Sequence, residues 1–229
     1  MPKPFPVDPD VLVRIRAIEH RDCERVAELH SAAMGNSLWA QLGQRFLTEL
    51  YRGLVDSPDF LGFVYEERNE NSERQVLGFI AGSTHTDRMF KHVFKSRVAL
   101  LSLAAAPKIA LRPQLLLRLL QTPKYSKLST EGVEDIPGES LFCSFEPQLR
   151  GRRIAGHINK VLFDELLARG HKHVKISTET DNQGANRQLQ SWGFEVIHRF
   201  RFYGKDMLTY ALNLEQSDRV EARSVHRAV

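Results

Sequence analysis

A strand, a basic loop and a helix follow one another between residues 141 and 169, and this succession limits the folds open to the chain. Residues 141–145 (LFCSF) form a short apolar run typical of a strand. From residue 154 to 169 apolar residues recur at helical spacing, and Gly170 is a suitable helix end. A further strand at 173–177 completes a βαβ-type unit, which puts its loop between a strand's carboxyl end and a helix's amino end.

The loop of this unit has the features of an anion site. The first N–H groups of a helix have no partner within the helix, and the helix dipole is positive there. Gly151 allows a tight turn, and Arg150, Arg152 and Arg153 add charge. A basic surface turn is the alternative. The absence of GxxxxGK(S/T), GxGxxG and GxSxG motifs argues against a P-loop, a Rossmann dinucleotide site and a hydrolase elbow.

The remaining pattern predicts one domain over 11–214, a proline-rich flexible arm at 1–10 and a polar tail at 215–229. Strands are predicted at 11–18, 61–66, 76–82, 194–202 and 207–214, and helices at 21–34, 39–54 and 182–192.

Two cysteines cannot form a disulfide framework. His171 and His173 have no third ligand at a suitable spacing, so no metal is expected. No secretory signal or spanning segment is visible, which predicts a cytoplasmic protein.

A basic helical insertion is predicted at 86–138, with breaks at Pro107 and Pro113. Between Arg88 and Thr130 the chain has no Asp or Glu, and a cluster this one-sided attracts anions. A phosphorylated small molecule, an acidic membrane surface through 88–128 or nucleic acid are candidate partners, and a solvated helix face is the alternative. The basic residues are Arg88, Lys91, Lys95, Arg97, Lys108, Arg112, Arg118, Lys124 and Lys127.

Residues 139–214 resemble the second half of the Gcn5-related N-acetyltransferase (GNAT) superfamily. Its motif R/Q-x-x-G-x-G/A is matched from Arg150 through Arg153 to Ala155, and Asn182 and the Gly193-Phe194 pair follow. The first half is similar too, with a basic strand, two helices and a hairpin. Residues 39–82 and the closing strand resemble a bacterial subgroup associated with polysaccharide or sugar-modifying pathways. The resemblance implies a mixed α/β fold, whose central, mostly antiparallel sheet is flanked by helices, with the insertion between strands 3 and 4.

The resemblance implies acetyl-CoA as co-substrate and direct attack by a primary amine in a ternary complex. Backbone groups at Phe145 would hold the pantetheine, amides of residues 150–156 the pyrophosphate, and Asn182 would lie beside the pantetheine arm. The implied cofactor-binding residues are Ser144, Phe145, Arg150, Gly151, Arg152, Arg153, Ile154, Ala155, Gly156, Asn182 and Asn186.

Two residues depart from the family pattern. Arg153 stands where glycine is usual. A positive φ there would strain an arginine, whereas the ordinary helical φ that we expect would accommodate it. Leu189 replaces a tyrosine that would protonate the departing thiolate, so Tyr203, Tyr210 or water would take that role. Glu139 is the leading candidate for the base that deprotonates the amine, and a surface glutamate at a strand end is the alternative.

The basic charge of the insertion and the resemblance to the sugar-pathway subgroup set the order of the candidate acceptors. An amino sugar or sugar nucleotide comes first, a protein lysine or N-terminal amine second, and the insertion is expected to help to choose between acceptors. A non-catalytic acyl-CoA-binding module is the alternative function, and a membrane-surface or nucleic-acid binder is weaker. A nucleic acid is not expected as partner, and the sequence leaves a homodimer open.

Overall fold

The structure of the chain, a computed structural model, describes residues 7–130 and 136–217, without the side chains of 121–127 and 130. Of the predicted arm and tail, it therefore covers only residues 7–10 and 215–217. The helices are α1 Pro9–Leu12, α2 Cys23–Met34, α3 Leu38–Gln41, α4 Gln44–Val55, α5 Thr86–Leu111, α6 Gln114–Thr130, α7 Ile154–Ala168 and α8 Gln183–Ser191. The strands are β1 Ile15–Ala17, β2 Phe60–Arg68, β3 Arg74–Ser83, β4 Glu139–Phe145, β5 His173–Glu179, β6 Glu195–Phe202 and β7 Lys205–Asn213.

The seven strands form one sheet in the order β1-β2-β3-β4-β5-β7-β6. All neighbours pair antiparallel except β4 and β5, which run parallel. Helices α5 and α6 lie between β3 and β4 in the chain. The prediction of a mixed, mostly antiparallel α/β fold with a helical insertion after the third strand is confirmed.

Two apolar clusters cover the two faces of the sheet. Helices α2, α4 and α5 pack on one face around Phe79 of β3, while α7 and α8 pack on the other around Ile80. Neighbouring residues of a strand point to opposite faces, so a strand that is covered on both sides needs an unbroken apolar run. The central strand β3 has such a run, and it is buried from Val76 onward.

The observed elements differ from the predicted ones at three places. Pro9 starts the short helix α1, capped by the Asp8 side chain, so the predicted first strand shortens to Ile15–Ala17. The helix predicted over 39–54 is divided at Gly43, whose φ of 101° is outside the helical region. The predicted break at Pro107 is wrong, because Pro107 lies within α5, whereas the break at Pro113 is present: Arg112, which precedes it, is not helical.

His30 of α2 is a buried titratable residue beneath the sheet. Its Nδ1 lies 2.7 Å from the Tyr51 hydroxyl, and its ring packs against the rings of Phe79 and Phe142. Burial disfavours the charged imidazolium and lowers the pKa of His30 to about 4. The neutral ring is therefore part of the folded core.

Acidification should destabilise the fold through His30. The unfolded chain takes up this proton near pH 6.5, whereas the folded chain takes it up near pH 4, so stability is lost as the pH falls between these values. The free energy of unfolding in denaturant should fall by about 3 kcal/mol from pH 7 to pH 4 through this residue. The His30→Gln variant should be less stable at pH 7, with a difference that shrinks on acidification; a constant difference would contradict the prediction.

Candidate functional site

The parallel strands β4 and β5 separate and leave an open cleft in the sheet. They pair only at Glu139 with Lys175 and Ser140 with Ile176. At the same point the register of β4 against β3 shifts, because Leu141 is an extra residue between the partners of Ala81 and Gly82. A β-bulge of this kind bends its strand and reverses which backbone groups face each neighbour. The bulge therefore turns backbone donors and acceptors of β4 into the cleft.

Backbone alternation identifies the groups that face the cleft. The Glu146 amide donates to the Leu77 carbonyl at 2.8 Å, which aligns residues 142, 144 and 146 with β3. The N–H and C=O groups of Cys143 and Phe145 then point toward the cleft, and the role of the Phe145 backbone in holding pantetheine stays a prediction. Ser144 faces away, because its backbone is turned to β3 and its hydroxyl donates to the Leu29 carbonyl at 2.9 Å.

The loop over residues 150–156, called the anion loop below, contains two left-handed backbone conformations. Gly151 has φ 80°, and Arg153 has φ 60° and ψ 14°. The expectation of ordinary helical φ for Arg153 is wrong, and a non-glycine residue in this region costs about 1–2 kcal/mol. His157 holds the conformation, since its Nδ1 lies 2.9 Å from the Arg153 carbonyl and its Nε2 accepts from the Asp8 amide. Sequence analysis missed His157, which carries no motif.

The turn leaves a set of backbone amides open to a ligand. The amides of Arg150, Arg152 and Gly156 donate within the turn, to the carbonyls of residues 147, 149 and 153. Within the described part of the chain, four further amides of the loop have no protein acceptor, namely those of Gly151, Arg153, Ile154 and Ala155. Four donors at a helix N-terminus match an anion such as a pyrophosphate. Of the amides in the predicted cradle over residues 150–156, these four are thus available to a ligand, and the cradle itself stays a prediction.

The three arginines of the anion loop differ in their surroundings. Arg152 forms an ion pair with Glu67 of β2 and lies 3.5 Å from the Tyr65 hydroxyl. Its guanidinium is thus held on the hairpin. Arg150 and Arg153 are exposed and have no acidic partner among the residues that the structure describes. These two side chains can supply charge to a bound anion.

Three predicted site residues lie in or next to α8 and β7. One of them is at the cleft, and the other two are buried inside the domain. Asn182 is exposed at the start of α8, where its side chain accepts from the Ala185 amide at 3.2 Å. Asn186 is buried, donates to the carbonyls of Glu179 and Thr180, and accepts from the Tyr210 hydroxyl at 3.1 Å. Asn186 and Tyr210 thus tie the end of β5 to β7 and α8. The structure does not bring either side chain to the cleft.

A cavity of about 1550 Å³ adjoins the cleft. Its walls come from the end of α2, from α3, from the diverging ends of β4 and β5, from the β6–β7 turn and from both insertion helices. The rings of Trp39, Phe90 and Phe94 stack along one wall. Asn182 and Tyr203 line the cavity, whereas Tyr210 and Glu139 do not. The insertion therefore forms a wall of this space; that it selects the acceptor stays a prediction.

Glu139 lies at the closed end of the cleft, and a hydrogen bond to a residue of the cavity lining connects it to the cavity. It is 2% exposed, so the alternative of a surface glutamate is wrong. The Thr86 hydroxyl donates to Glu139 Oε2 at 2.7 Å, and Thr86 itself lines the cavity. Lys175 is paired opposite in the sheet, and burial lowers the pKa of its amine while Glu139 opposes that shift. Thr86 was missed because nothing distinguishes the first residue of an insertion in the sequence.

Tyr203 connects the β6–β7 turn to the insertion. Its hydroxyl donates to the Arg118 carbonyl of α6 at 2.8 Å, and the Arg118 guanidinium lies 5.9 Å from its ring centre. Leu189, at the position of the expected tyrosine, is buried in the apolar cluster on the α7 side. Tyr203 is therefore the predicted tyrosine that reaches the cavity.

The described residues hold neither a metal-binding cluster nor a membrane-spanning helix. No three His, Cys, Asp or Glu side chains within 7–130 and 136–217 lie close enough to hold a metal ion. In the same ranges no helix has the length and apolar character needed to cross a membrane.

Comparison with known proteins gives one relative in sequence. No protein-family model matches the chain. Over 91 residues it is 31% identical to the mycothiol acetyltransferase of Brachybacterium faecium, a match that covers 40% of this chain and 26% of that protein. The chain thus spans about a quarter of the length of this curated relative.

Comparison with solved structures identifies the fold. SsHAT superimposes with a TM-score of 0.59 at 17% identity, over 87% of this chain and 97% of that chain. A putative GNAT-family acetyltransferase from Desulfovibrio desulfuricans gives a TM-score of 0.52 at 11% identity, over 87% and 98%. The chain has the GNAT fold. In this GNAT fold, the open edge of β4 and the anion loop lie on the same βαβ unit.

Proposed function

We propose that the chain transfers the acetyl group of acetyl-CoA to a primary amine. One observation carries the proposal: the open backbone edge of β4 leads directly to the four unpaired amides of the anion loop. Amide groups of a pantetheine arm can pair with Cys143 and Phe145 as an added strand would. The pyrophosphate then meets the N-terminus of α7, with Arg150 and Arg153 beside it.

The reaction is a direct displacement at the thioester. The nitrogen lone pair of the amine forms a bond to the acetyl carbonyl carbon, and the carbon–sulfur bond then breaks. The nitrogen gives up one proton, and the sulfur leaves as a thiolate that takes up a proton. The products are an N-acetyl amide and CoA, with no covalent enzyme intermediate.

Thr86 and Glu139 are proposed to accept the proton from the amine. The Thr86 oxygen takes it from the nitrogen while the Thr86 hydroxyl proton moves to Glu139 Oε2, 2.7 Å away. This arrangement lets a buried carboxylate that does not line the cavity act as the base. Tyr203 or water is proposed to protonate the sulfur, and a thiol with a pKa of about 8.5 leaves without a strong acid.

An amino sugar or sugar nucleotide is proposed as the source of the amine. Ser177, Thr178 and Asn182 line the cleft end of the cavity and offer hydroxyl and amide partners. Lys91 and Lys95 line the cavity one helical turn apart and suit a phosphate group. A protein or N-terminal amine is the second candidate, and the sugar-pathway subgroup remains a prediction.

Calorimetric titration of the purified chain with acetyl-CoA tests the proposal first. Binding of one equivalent, followed by amine-dependent release of free thiol, is the expected result. Binding without thiol release from any tested amine would favour the non-catalytic acyl-CoA-binding module. Absence of binding would contradict the proposed function.

We also propose that the outer face of α5 and α6 contacts an anionic lipid surface. Most of the exposed large apolar side chains in the described residues lie there, namely Val98, Leu100, Leu103, Leu111, Leu116, Leu117 and Leu120. Arg88 and Arg97 pair with acids of the domain, whereas Lys108 and Arg112 have no acidic partner in the part of the chain described. The side chains of Lys124 and Lys127 lie outside the described residues. Exposed apolar and cationic groups on the same pair of helices are complementary to anionic membranes.

Co-sedimentation with phospholipid vesicles tests this contact. Binding is expected to vesicles with about 30% phosphatidylglycerol, to weaken at high salt, and to fall about tenfold in the Leu103→Glu/Leu117→Glu variant. The Val196→Glu/Ile197→Glu variant changes an exposed apolar pair on β6 and should bind normally. Equal binding by both variants would contradict the contact, as would a homodimer in sedimentation that only Leu103→Glu/Leu117→Glu disrupts.

A further inference from the structure

We propose that the acceptor amine, whether its polar head is an amino sugar or another group, is joined to an apolar chain that occupies the cavity beneath α5 and α6. Its amine-bearing head would lie at the cleft, and an anionic group next to the head would meet Lys91 and Lys95. The inference rests on the proposed function and specifies the substrate class of the same site.

The lining of the cavity changes character along its length. At the cleft end it is polar, with Thr86, Ser177 and Asn182. Away from the cleft, the walls are mainly apolar, with Leu101, Ala105 and Ile109 of α5 and Leu116 and Leu119 of α6. A polar head and an apolar chain in one molecule match this gradient.

The volume of the cavity also favours a ligand with an apolar chain. At about 1550 Å³ it exceeds the roughly 300–1,000 Å³ of ordinary small-molecule sites. A sugar that filled it would bury hydroxyl groups against leucine and alanine side chains, which lack hydrogen-bond partners. An alkyl chain instead gains affinity by about fourfold for each methylene group that leaves water.

The charges along the cavity indicate an anionic group in the acceptor. Lys91 and Lys95 have no acidic partner among the described residues. Of the two acids in the lining, Glu179 pairs with Lys205, which leaves Asp87. The balance is therefore cationic, so it disfavours a simple alkylammonium ion and favours an amine that carries a phosphate or carboxylate.

The far end of the cavity reaches the outer face of the insertion. Val98 and Leu116 line the cavity and are 59% and 44% exposed. The apolar lining is thus continuous with the exposed apolar side chains of α5 and α6. A chain bound in the cavity would reach the exposed apolar surface by this route.

Three related molecules separate the contributions of head and chain. Lysophosphatidylethanolamine has the amine, the phosphate and the chain, O-phosphoethanolamine lacks the chain, and lysophosphatidylcholine lacks the reactive amine. Thiol release from acetyl-CoA, measured below the critical micelle concentration, should give a kcat/KM at least about 100-fold higher for the first than for the second. Lysophosphatidylcholine should inhibit competitively and remain unmodified.

Binding of lysophosphatidylcholine, measured by calorimetry without acetyl-CoA, tests the occupant independently of catalysis. No binding, or equal kcat/KM with and without the chain, would overturn the inference and leave acetyl transfer intact. Failure of acetyl-CoA itself to bind would instead contradict the proposed function.

A matched pair of variants locates the chain. Ala106 lines the cavity, whereas Ala99 lies on the same helix outside the lining, and both are exposed. Ala106→Phe should weaken lysophosphatidylcholine binding about tenfold or more, and Ala99→Phe should leave it unchanged. Acetyl-CoA affinity should stay constant in both. Equal lysophosphatidylcholine affinity in the two variants would overturn the assignment.

Discussion

The variant that combines Arg150→Glu with Gly151→Asp is expected to lose about 100-fold or more in acetyl-CoA affinity, close to 3 kcal/mol. It places two carboxylates where four unpaired amides and the dipole of α7 converge. It also removes one of the two arginines without an acidic partner in the described residues and puts a side chain at φ 80°. Calorimetric titration of wild type and variant measures the loss.

The opposite end of the same helix supplies a control with the same chemistry. Arg169 and Gly170 follow α7, and Gly170 has φ 87° with open space for at least 4 Å around the position that a Cβ would take. Arg169→Glu/Gly170→Asp therefore changes the net charge equally and introduces similar backbone strain. It should bind acetyl-CoA as the wild type does. Equal loss in both variants would mean that net charge or stability, rather than the anion loop, controls binding.

Thr86→Val is expected to lower kcat by about 100-fold or more, because it removes the hydroxyl that carries the amine proton to Glu139. Glu139→Gln should lower kcat by a similar factor, and the double variant should lose little more, since both changes interrupt one path. Acetyl-CoA affinity should be unchanged. Steady-state kinetics of thiol release over a range of pH provides the measurement.

A second threonine–carboxylate pair close by controls for structural damage. Thr84 donates to Asp59 Oδ1 at 2.9 Å, and neither residue lines the cavity. Thr84→Val breaks a bond of the same kind and should retain nearly full kcat. If Thr86→Val keeps wild-type kcat, or if Thr84→Val loses as much, the proposed proton path is wrong.

Local patterns in the sequence were sufficient to predict most of the strands and helices and the position of the anion loop. The apolar spacing of α7 and the glycines at 151 and 170 act over a few neighbouring residues, and such effects can be recognised in any segment. The bulge at Leu141 could not be predicted, since it depends on how β4 pairs with β3. Pro107 within α5 shows the same limit, because packing of α5 against the domain outweighs the preference of one residue.

The sequence by itself determined the order of most strands and helices, the basic insertion and the glycine- and arginine-containing loop before α7, where an anion site stays a prediction. Only the tertiary structure decided the partners of individual side chains: Thr86 with Glu139 across 53 positions and Arg152 with Glu67 across 85. It likewise decided the left-handed backbone of Arg153, which His157 and Asp8 hold, and the open cavity that α5 and α6 help to line. The physical reason is the distance along the chain over which each effect acts. Periodicity and turn preferences depend on neighbouring residues, whereas these hydrogen bonds, ion pairs and the cavity form where segments far apart in the sequence meet.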